Sequence, residues 1–354
     1  AAPTIRALAA LLQDTLVEAE PEDLPYHRIA AWKRWLCWIA QTVALLPIYT
    51  VAGLQWFFPY VAYTHLSGDL NRVSALLLSG LSFILIPPLA MLASIAIKWL
   101  VIGRYRAGDY PLWGAYYFRW WFVRRFSEVI ATPYLAGTPM IRAYYRLLGA
   151  KIGKRAFIGR GNIDVADLVT IGEDAVIGDQ AMLATSSVER GLLRLGSATV
   201  EAGANVGSMA VVGRNSTIGA GAVLEGLSAL PTGAHIPAGA RWRGSPAANV
   251  EEGLTPQADD QAGPVRRVLT GLALTLAALV LPLVSIIPIA PGLIAMIEID
   301  WNSESYTYLL LSPVLALTYV ILMCVLTVLA KRLILGRVHA GRYSIHSWFY
   351  VRFW

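Results

Sequence analysis

The stretch that could do chemistry reads "LATSSVERG", Leu183 to Gly191, with Arg194 three residues on. Ser186 and Ser187 carry hydroxyls that can donate hydrogen bonds to a developing oxyanion, and Glu189 carries a carboxylate that attracts a cationic amine. Ser186 and Glu189 are therefore the candidate catalytic residues, and Thr185, Ser187 and Arg194 the candidate substrate-binding residues. Polar side chains in a surface excursion are by default simply solvated. Histidine, the usual general base, offers little: His235 sits beside Ile236 as an exposed corner residue, His27 and His65 flank apolar segments, and His339 and His346 lie near the end of the chain. No nucleophile motif, phosphate loop or metal spacing is present. Cys37 and Cys324 fall inside apolar stretches without neighbouring ligands, which predicts two buried spectator thiols.

An element must hold that excursion, and its signature is a period of six. Apolar residues recur at Val200, Val206, Val212, Ile218, Leu224, Leu230, Ile236 and Trp242, several of them followed by glycine. Such a run fits a prism of three flat parallel faces, three hexads to a coil, with inward residues stacking on their counterparts one coil later. Glycine is expected at its corners, for tight turns. The run begins at Ile152 and Ile158, slips by one residue between Ile163 and Thr170, and resumes at Ile171, Ile177 and Leu183 before the polar excursion.

The rest of the chain is built for a bilayer. Of 354 residues, 56% are hydrophobic and 15% charged, against an apolar share of roughly half in soluble domains. Four segments supply the ~20 apolar residues that a spanning helix needs: Ala40 to Tyr63 and Ser74 to Ile102 around a polar turn at His65 to Arg72, then Val268 to Ile299 and Tyr306 to Ala330 around "DWNSES". Pro282, Pro288 and Pro291 are expected to kink or break the third. Lys33, Arg34, Arg104, Arg106, Arg266, Arg267, Lys331, Arg332 and Arg337 then share one side, which predicts a multi-pass protein of the plasma (inner) membrane with both ends and the hexad domain cytoplasmic. The net charge of +6 is explained by this clustering beside apolar blocks, so nucleic acid is not an expected partner. The acidic first 30 residues do not read as a signal peptide.

Between the second span and the hexads, Trp113, Tyr116, Tyr117, Trp120, Trp121 and Phe126 interleave with Arg119, Arg124 and Arg125, a composition suited to an amphipathic helix lying in the membrane interface. Its beginning is repeated. Lys98 to Trp121 aligns without gaps on Lys331 to Trp354, matching Lys98 with Lys331, Gly103 with Gly336, Gly108 with Gly341 and Tyr110 with Tyr343. The expected unit is a hairpin, an interfacial segment and a hexad domain, within a longer polypeptide. The expected organisation is a linker region (1–30), a transmembrane hairpin (31–103), an interfacial segment (104–150), the hexads (151–250), a linker (251–265), a second hairpin (266–335) and the start of a second interfacial segment (336–354).

The hexads, the preceding "GTPMIRAYYRLLGAKIGKRAFIG" and the closing "RWRGSPA" resemble hexapeptide-repeat acyltransferases, whose fold is a left-handed parallel β-helix. Over nearly the whole chain, membrane hairpins alternating with β-helices resemble the C-terminal membrane region of nonribosomal-peptide-synthetase-like enzymes of the poly-lysine synthetase type. The opening "AAPTIRALAALLQD" is similar to the last helix of a peptidyl-carrier domain. The resemblance implies a mixed fold, transmembrane α-helical hairpins plus a cytoplasmic left-handed β-helix. It implies no cofactor bound directly here, but upstream phosphopantetheine on the carrier and ATP at an adenylation domain. It also implies amide (isopeptide) bond formation between a carrier-bound aminoacyl thioester and an amine acceptor, an amino acid or peptide. Further partners are downstream tandem β-helices or a homo-oligomer. Synthetases of this type carry a histidine in a "TH" step shortly before a glutamate, and Ser186 stands at that place, so the resemblance leaves this β-helix either catalytic or a scaffold for sister copies. The alternative is a membrane-associated O- or N-acyltransferase using acyl-CoA.

Overall fold

The computed structural model describes residues 26–130, 132–250, 263–289, 291–292, 311–341 and 343–354. The carrier-like stretch, most of the 251–265 linker and "DWNSES" lie outside them. Helix α1 (Ala31–Asp69) runs through Pro47 and Pro59, and α2 (Arg72–Val101) through Pro87 and Pro88. The polar turn between them is shorter than the sequence predicts. Helix α1 continues through His65 to Asp69, and Asn71 caps α2 by accepting from the Ser74 N–H at 2.8 Å.

Helix α3 (Ala115–Glu128) and α4 (Pro139–Leu147) follow, then α5 (Pro264–Ile286), α6 (Ser312–Ala330) and α7 (Trp348–Phe353). Among the described residues, three segments are long and apolar enough to cross a membrane: Ala31–Gln55, Leu78–Val101 and Ser312–Leu335. Pro282 neither breaks nor ends α5. The helix passes it and gives way to a 3-10 turn, Ile287–Ile289, at Pro288. Cys37 is buried as expected, but Cys324 lies on the exposed face of α6.

The interfacial segment is not one helix. It opens with a strand, Gly108–Pro111, and its two helices turn their apolar faces inward, burying Trp120, Val123 and Phe126 of α3 and Ile141, Tyr144 and Tyr145 of α4. Its aromatic content serves packing between the helical hairpin and the hexads rather than contact with lipid alone.

The hexads form three parallel sheets visited in turn. One sheet stacks Ile152, Ile171, Val200, Ile218 and Ile236; the second stacks Ile158, Ile177, Val206, Leu224 and Trp242; the third stacks Ile163, Leu183, Val212 and Leu230. Apart from Trp242, Ile152 and Ile163, every rung is at most 2% exposed, so the stacks are one continuous core. The slip at 163–170 is taken up by a 3-10 turn, Ala166–Leu168.

The glycines that follow inward residues answer to a different constraint from the one expected. A Cβ on Gly207 would lie 2.3 Å from the Gly226 N of the next coil, and one on Gly172 would lie 2.4 Å from the Ala202 N. Close approach of successive coils, not a left-handed backbone, excludes a side chain there. The left-handed corners are shared: Gly203, Gly221, Gly233 and Gly239 take some of them, as expected, and Arg155, Asp174, Gln180, Met209, Asn215 and Leu227 take others.

The repeated segment has repeated geometry. The Tyr110 hydroxyl donates to the Arg106 carbonyl at 3.0 Å and its ring stacks on Tyr116 at 3.7 Å; Tyr343 donates to the His339 carbonyl at 2.9 Å and stacks on Phe349 at 3.9 Å. The second copy seats on the entrance to the hexads, where Trp354 Nε1 donates to the Ala136 carbonyl at 2.7 Å and Tyr350 meets Phe157 edge to face.

Candidate functional site

The excursion after Leu183 is a β-hairpin rather than a loop. Ser186–Glu189 pairs antiparallel with Leu192–Leu195, which pairs in turn with Gly108–Pro111 from the interfacial segment. Alternation decides its faces: Leu193 and Leu195 are buried against Tyr105, Leu112, Trp120 and Val165, while the intervening residues point outward. Its tip is held as well. The His27 N–H donates to the Arg190 carbonyl and the Leu112 N–H to that of Gly191.

This architecture engages each of the five candidate residues. Thr185, fully buried, accepts through its hydroxyl from the Val165 N–H at 2.9 Å. Ser186 donates to the Asp164 carboxylate. Glu189 lies 3.6 Å from Arg194 and 3.3 Å from Arg214, and Arg194 is also 3.7 Å from Asp109. The Ser187 hydroxyl and then the two guanidiniums hold the Glu189 carboxyl below the usual carboxylate range, against a contrary effect of burial. A carboxylate already facing two cations exerts little net attraction on a third.

A concavity lies on the other side of Asp164. A cavity of about 390 Å³ opens between α3, α4 and the first coil, with Arg124, Glu128, Trp120, Tyr145, Arg160 and Asp164 in its lining. Its volume falls in the ~300–1,000 Å³ range of small-molecule sites. Asp164, whose side chain is 2% exposed, is held by Ser186 on one oxygen and by Arg124 Nη1 at 3.1 Å on the other. Arg124 also lies 3.6 Å from Glu128, which pairs with Arg125 at 2.6 Å. At the deep end the Lys98 ammonium is 2.7 Å from Asp167, both nearly inaccessible, and the hydroxyls of Ser94 and Tyr144 are 3.0 Å apart. Burial pushes the Tyr145 phenol up to about 12 and raises Tyr105 and Tyr144 too, so these rings are neutral near pH 7.

Sequence reasoning found Ser186 but not the carboxylate it serves. Asp164 sits in the slipped stretch of the hexad pattern, where periodicity is silent. Lys98 carried a usable signal, an ionisable residue at the end of an apolar helix, yet it entered only as a point of repeat alignment.

No family model matches the chain. One relative does, along almost its whole length. Over 373 aligned positions and 99% of its residues, the chain is 29% identical to a delta-poly-L-ornithine synthetase of Acinetobacter baumannii strain AB307-0294. The chain spans 28% of that protein's length. Solved structures that resemble it include a hexapeptide-repeat-containing acetyltransferase of Vibrio cholerae, 17% identical over 32% of this chain and 79% of that one with a TM-score of 0.26. Another is a galactoside acetyltransferase in complex with coenzyme A, 13% identical over 47% of this chain and 82% of that one, TM-score 0.28. Scores this low carry no residue-by-residue correspondence.

Proposed function

We propose that the chain is a membrane-bound portion of a nonribosomal-peptide-synthetase-like enzyme that forms amide (isopeptide) bonds between a carrier-bound aminoacyl thioester and an amine, and that its hexads are a scaffold in that apparatus. The observation that carries the reading is the similarity to a poly-ornithine synthetase along 99% of the chain. Aminolysis of a thioester requires an uncharged amine, a base for its proton and donors for the oxyanion. The hairpin supports a scaffold role, because Glu189 is neutralised by Arg194 and Arg214 and Ser186 is engaged with Asp164. On this reading the three apolar segments anchor the unit at the inner membrane, with a left-handed β-helix on the cytoplasmic side. Adenylation, with ATP, and the phosphopantetheine arm belong to upstream domains, and sister β-helices downstream supply the active copies.

The test uses the full-length enzyme with ATP and candidate amino acids. Glu189→Gln combined with Ser187→Ala is expected to leave amide formation within about threefold of wild type. Loss of more than about a hundredfold, with aminoacyl loading of the carrier intact, places the chemistry on this hairpin. Product formed from acyl-CoA without ATP overturns the synthetase reading in favour of an acyl-CoA-dependent transferase.

A further inference from the structure

The cavity between α3, α4 and the first coil has a charge pattern that selects its occupant. Lys98 is answered by Asp167, and Arg124 by Asp164 and Glu128. At the exposed rim, the Arg160 guanidinium is in no ion pair among the described residues, while its backbone N–H donates to Asp179 Oδ1 at 2.9 Å. The interior therefore presents one cation with unused donors at its mouth and, deeper, a nearly inaccessible carboxylate. Asp164 still has capacity, since its two oxygens offer about four acceptor positions and the structure fills them with one bond from Arg124 and one from Ser186. Between mouth and carboxylate the wall is aromatic, from Trp120, Tyr105 and Tyr145, surfaces that accept an aliphatic stem and favour a cation beside them. The Tyr105 hydroxyl makes no hydrogen bond among the described residues.

Single-charge ligands fit this lining poorly. A phosphate or simple carboxylate meets Arg160 but is repelled by Asp164 and Glu128. A simple amine or polyamine meets Asp164 but has to pass Arg160 and lie beside Arg124. A small zwitterion satisfies both ends.

We propose that this cavity binds a free amino acid, its carboxylate on Arg160 and an ammonium on Asp164, with Ser186 and Arg124 as positioning residues that hold the Asp164 carboxylate in place. The assignment rests on the amide-forming reading, in which this copy does no chemistry itself and holds the free amine acceptor for the active sister copies. A zwitterionic lipid headgroup shares the chemistry, and the experiment separates the two sources.

Binding is measured by titration calorimetry on the chain in nanodiscs made without phosphatidylethanolamine, with L-lysine, n-pentylamine and hexanoate as probes. L-lysine is expected to bind at least about tenfold more tightly than either one-ended probe. Arg160→Ala, at an exposed position with no ion pair to break, is expected to weaken L-lysine and hexanoate about tenfold and leave n-pentylamine unchanged. Asp164→Asn is expected to weaken L-lysine and n-pentylamine and leave hexanoate unchanged, and Glu189→Gln to change none of them. Absent L-lysine binding, or binding indifferent to both cavity substitutions, overturns the site. So does binding abolished when phosphatidylethanolamine is added to the nanodiscs, which gives the cavity to lipid. In the full-length synthetase, Arg160→Ala should raise KM for the free amino acid about tenfold with kcat nearly unchanged. Amide formation with an unmoved KM refutes the site and leaves the amide-forming reading standing, whereas binding without any amide product refutes that reading and leaves the site.

Discussion

Removing the Asp167 carboxylate while leaving Lys98 in place should be among the most damaging single changes in the chain. The Lys98 ammonium lies 2.7 Å from Asp167 Oδ2, with the two side chains 2% and 1% exposed, and the Tyr105 N–H donates to the same oxygen at 3.2 Å. Little else compensates the charge; the Trp99 ring centroid lies 3.5 Å from it. Breaking a buried pair from one side strands the remaining charge and costs ~3–5 kcal/mol, whereas replacing both partners by apolar groups is often neutral. Asp167→Ala should thus destabilise by about 4 kcal/mol, to which the orphaned Tyr105 N–H adds about 1 kcal/mol. The double variant Lys98→Met, Asp167→Ala should recover at least about 2 kcal/mol of this, a coupling measurable by a double-mutant cycle. Pulse proteolysis across a urea series in detergent reads the fraction folded for all four proteins. If the double variant is no more stable than Asp167→Ala, or if Asp167→Ala costs less than about 1 kcal/mol, then the pair does not carry the junction and the account of the cavity floor is wrong.

Other outcomes follow from the same reasoning. Gly207→Ala, whose Cβ would meet the Gly226 N at 2.3 Å, should lower the melting temperature by more than Gly221→Ala, where φ is +65° but nothing lies within 4 Å; equal shifts would mean that backbone conformation, not coil spacing, sets the glycines. Ile218→Ala, fully buried between Val200 and Ile236, should cost about 2–5 kcal/mol by denaturant titration. The lowered Glu189 pKa means that its contribution to stability is present above the unfolded carboxylate value near 4.5 and is lost as pH falls through the lower folded value. Glu189→Gln should therefore lower proteolytic protection at pH 7 and converge with wild type as pH falls below the folded value, flattening the acid side of the profile; equal protection at pH 7 contradicts the ion cluster. Trp354→Phe, which removes the donor to Ala136, should expose the 136–137 amides to faster hydrogen exchange without loosening those of the central coils.

The part of the fold that obeys a period was legible in residues. Eight hexad positions from Val200 to Trp242 named the stacked core, and Gly103 with Gly336 and Tyr110 with Tyr343 announced a repeat whose local geometry recurs. What escaped was non-local pairing. Nothing in "LLRL" says that its strand, Leu192–Leu195, will be flanked by Gly108–Pro111, some 80 residues upstream, because antiparallel partners are set by tertiary packing rather than local pattern. The candidate site was half-legible for the same reason. Ser186 stood out as a polar residue, but Asp164 gains its meaning only when the coil brings it opposite Arg124.

The hairpin also shows how such a coil can acquire novelty. Paired rungs Val200 and Ile218 are 18 residues apart, whereas Ile171 and Val200 are 29 apart, yet each pair is in the same parallel register. Eleven residues are thus extruded at one corner while the sheets on either side keep their alignment. A corner is a splice point, and whatever is grafted there can be exchanged, lengthened or erased with the core unaware of it. A coil of this kind can change its task by swapping a corner insert alone, its stacked sheets serving as a constant chassis.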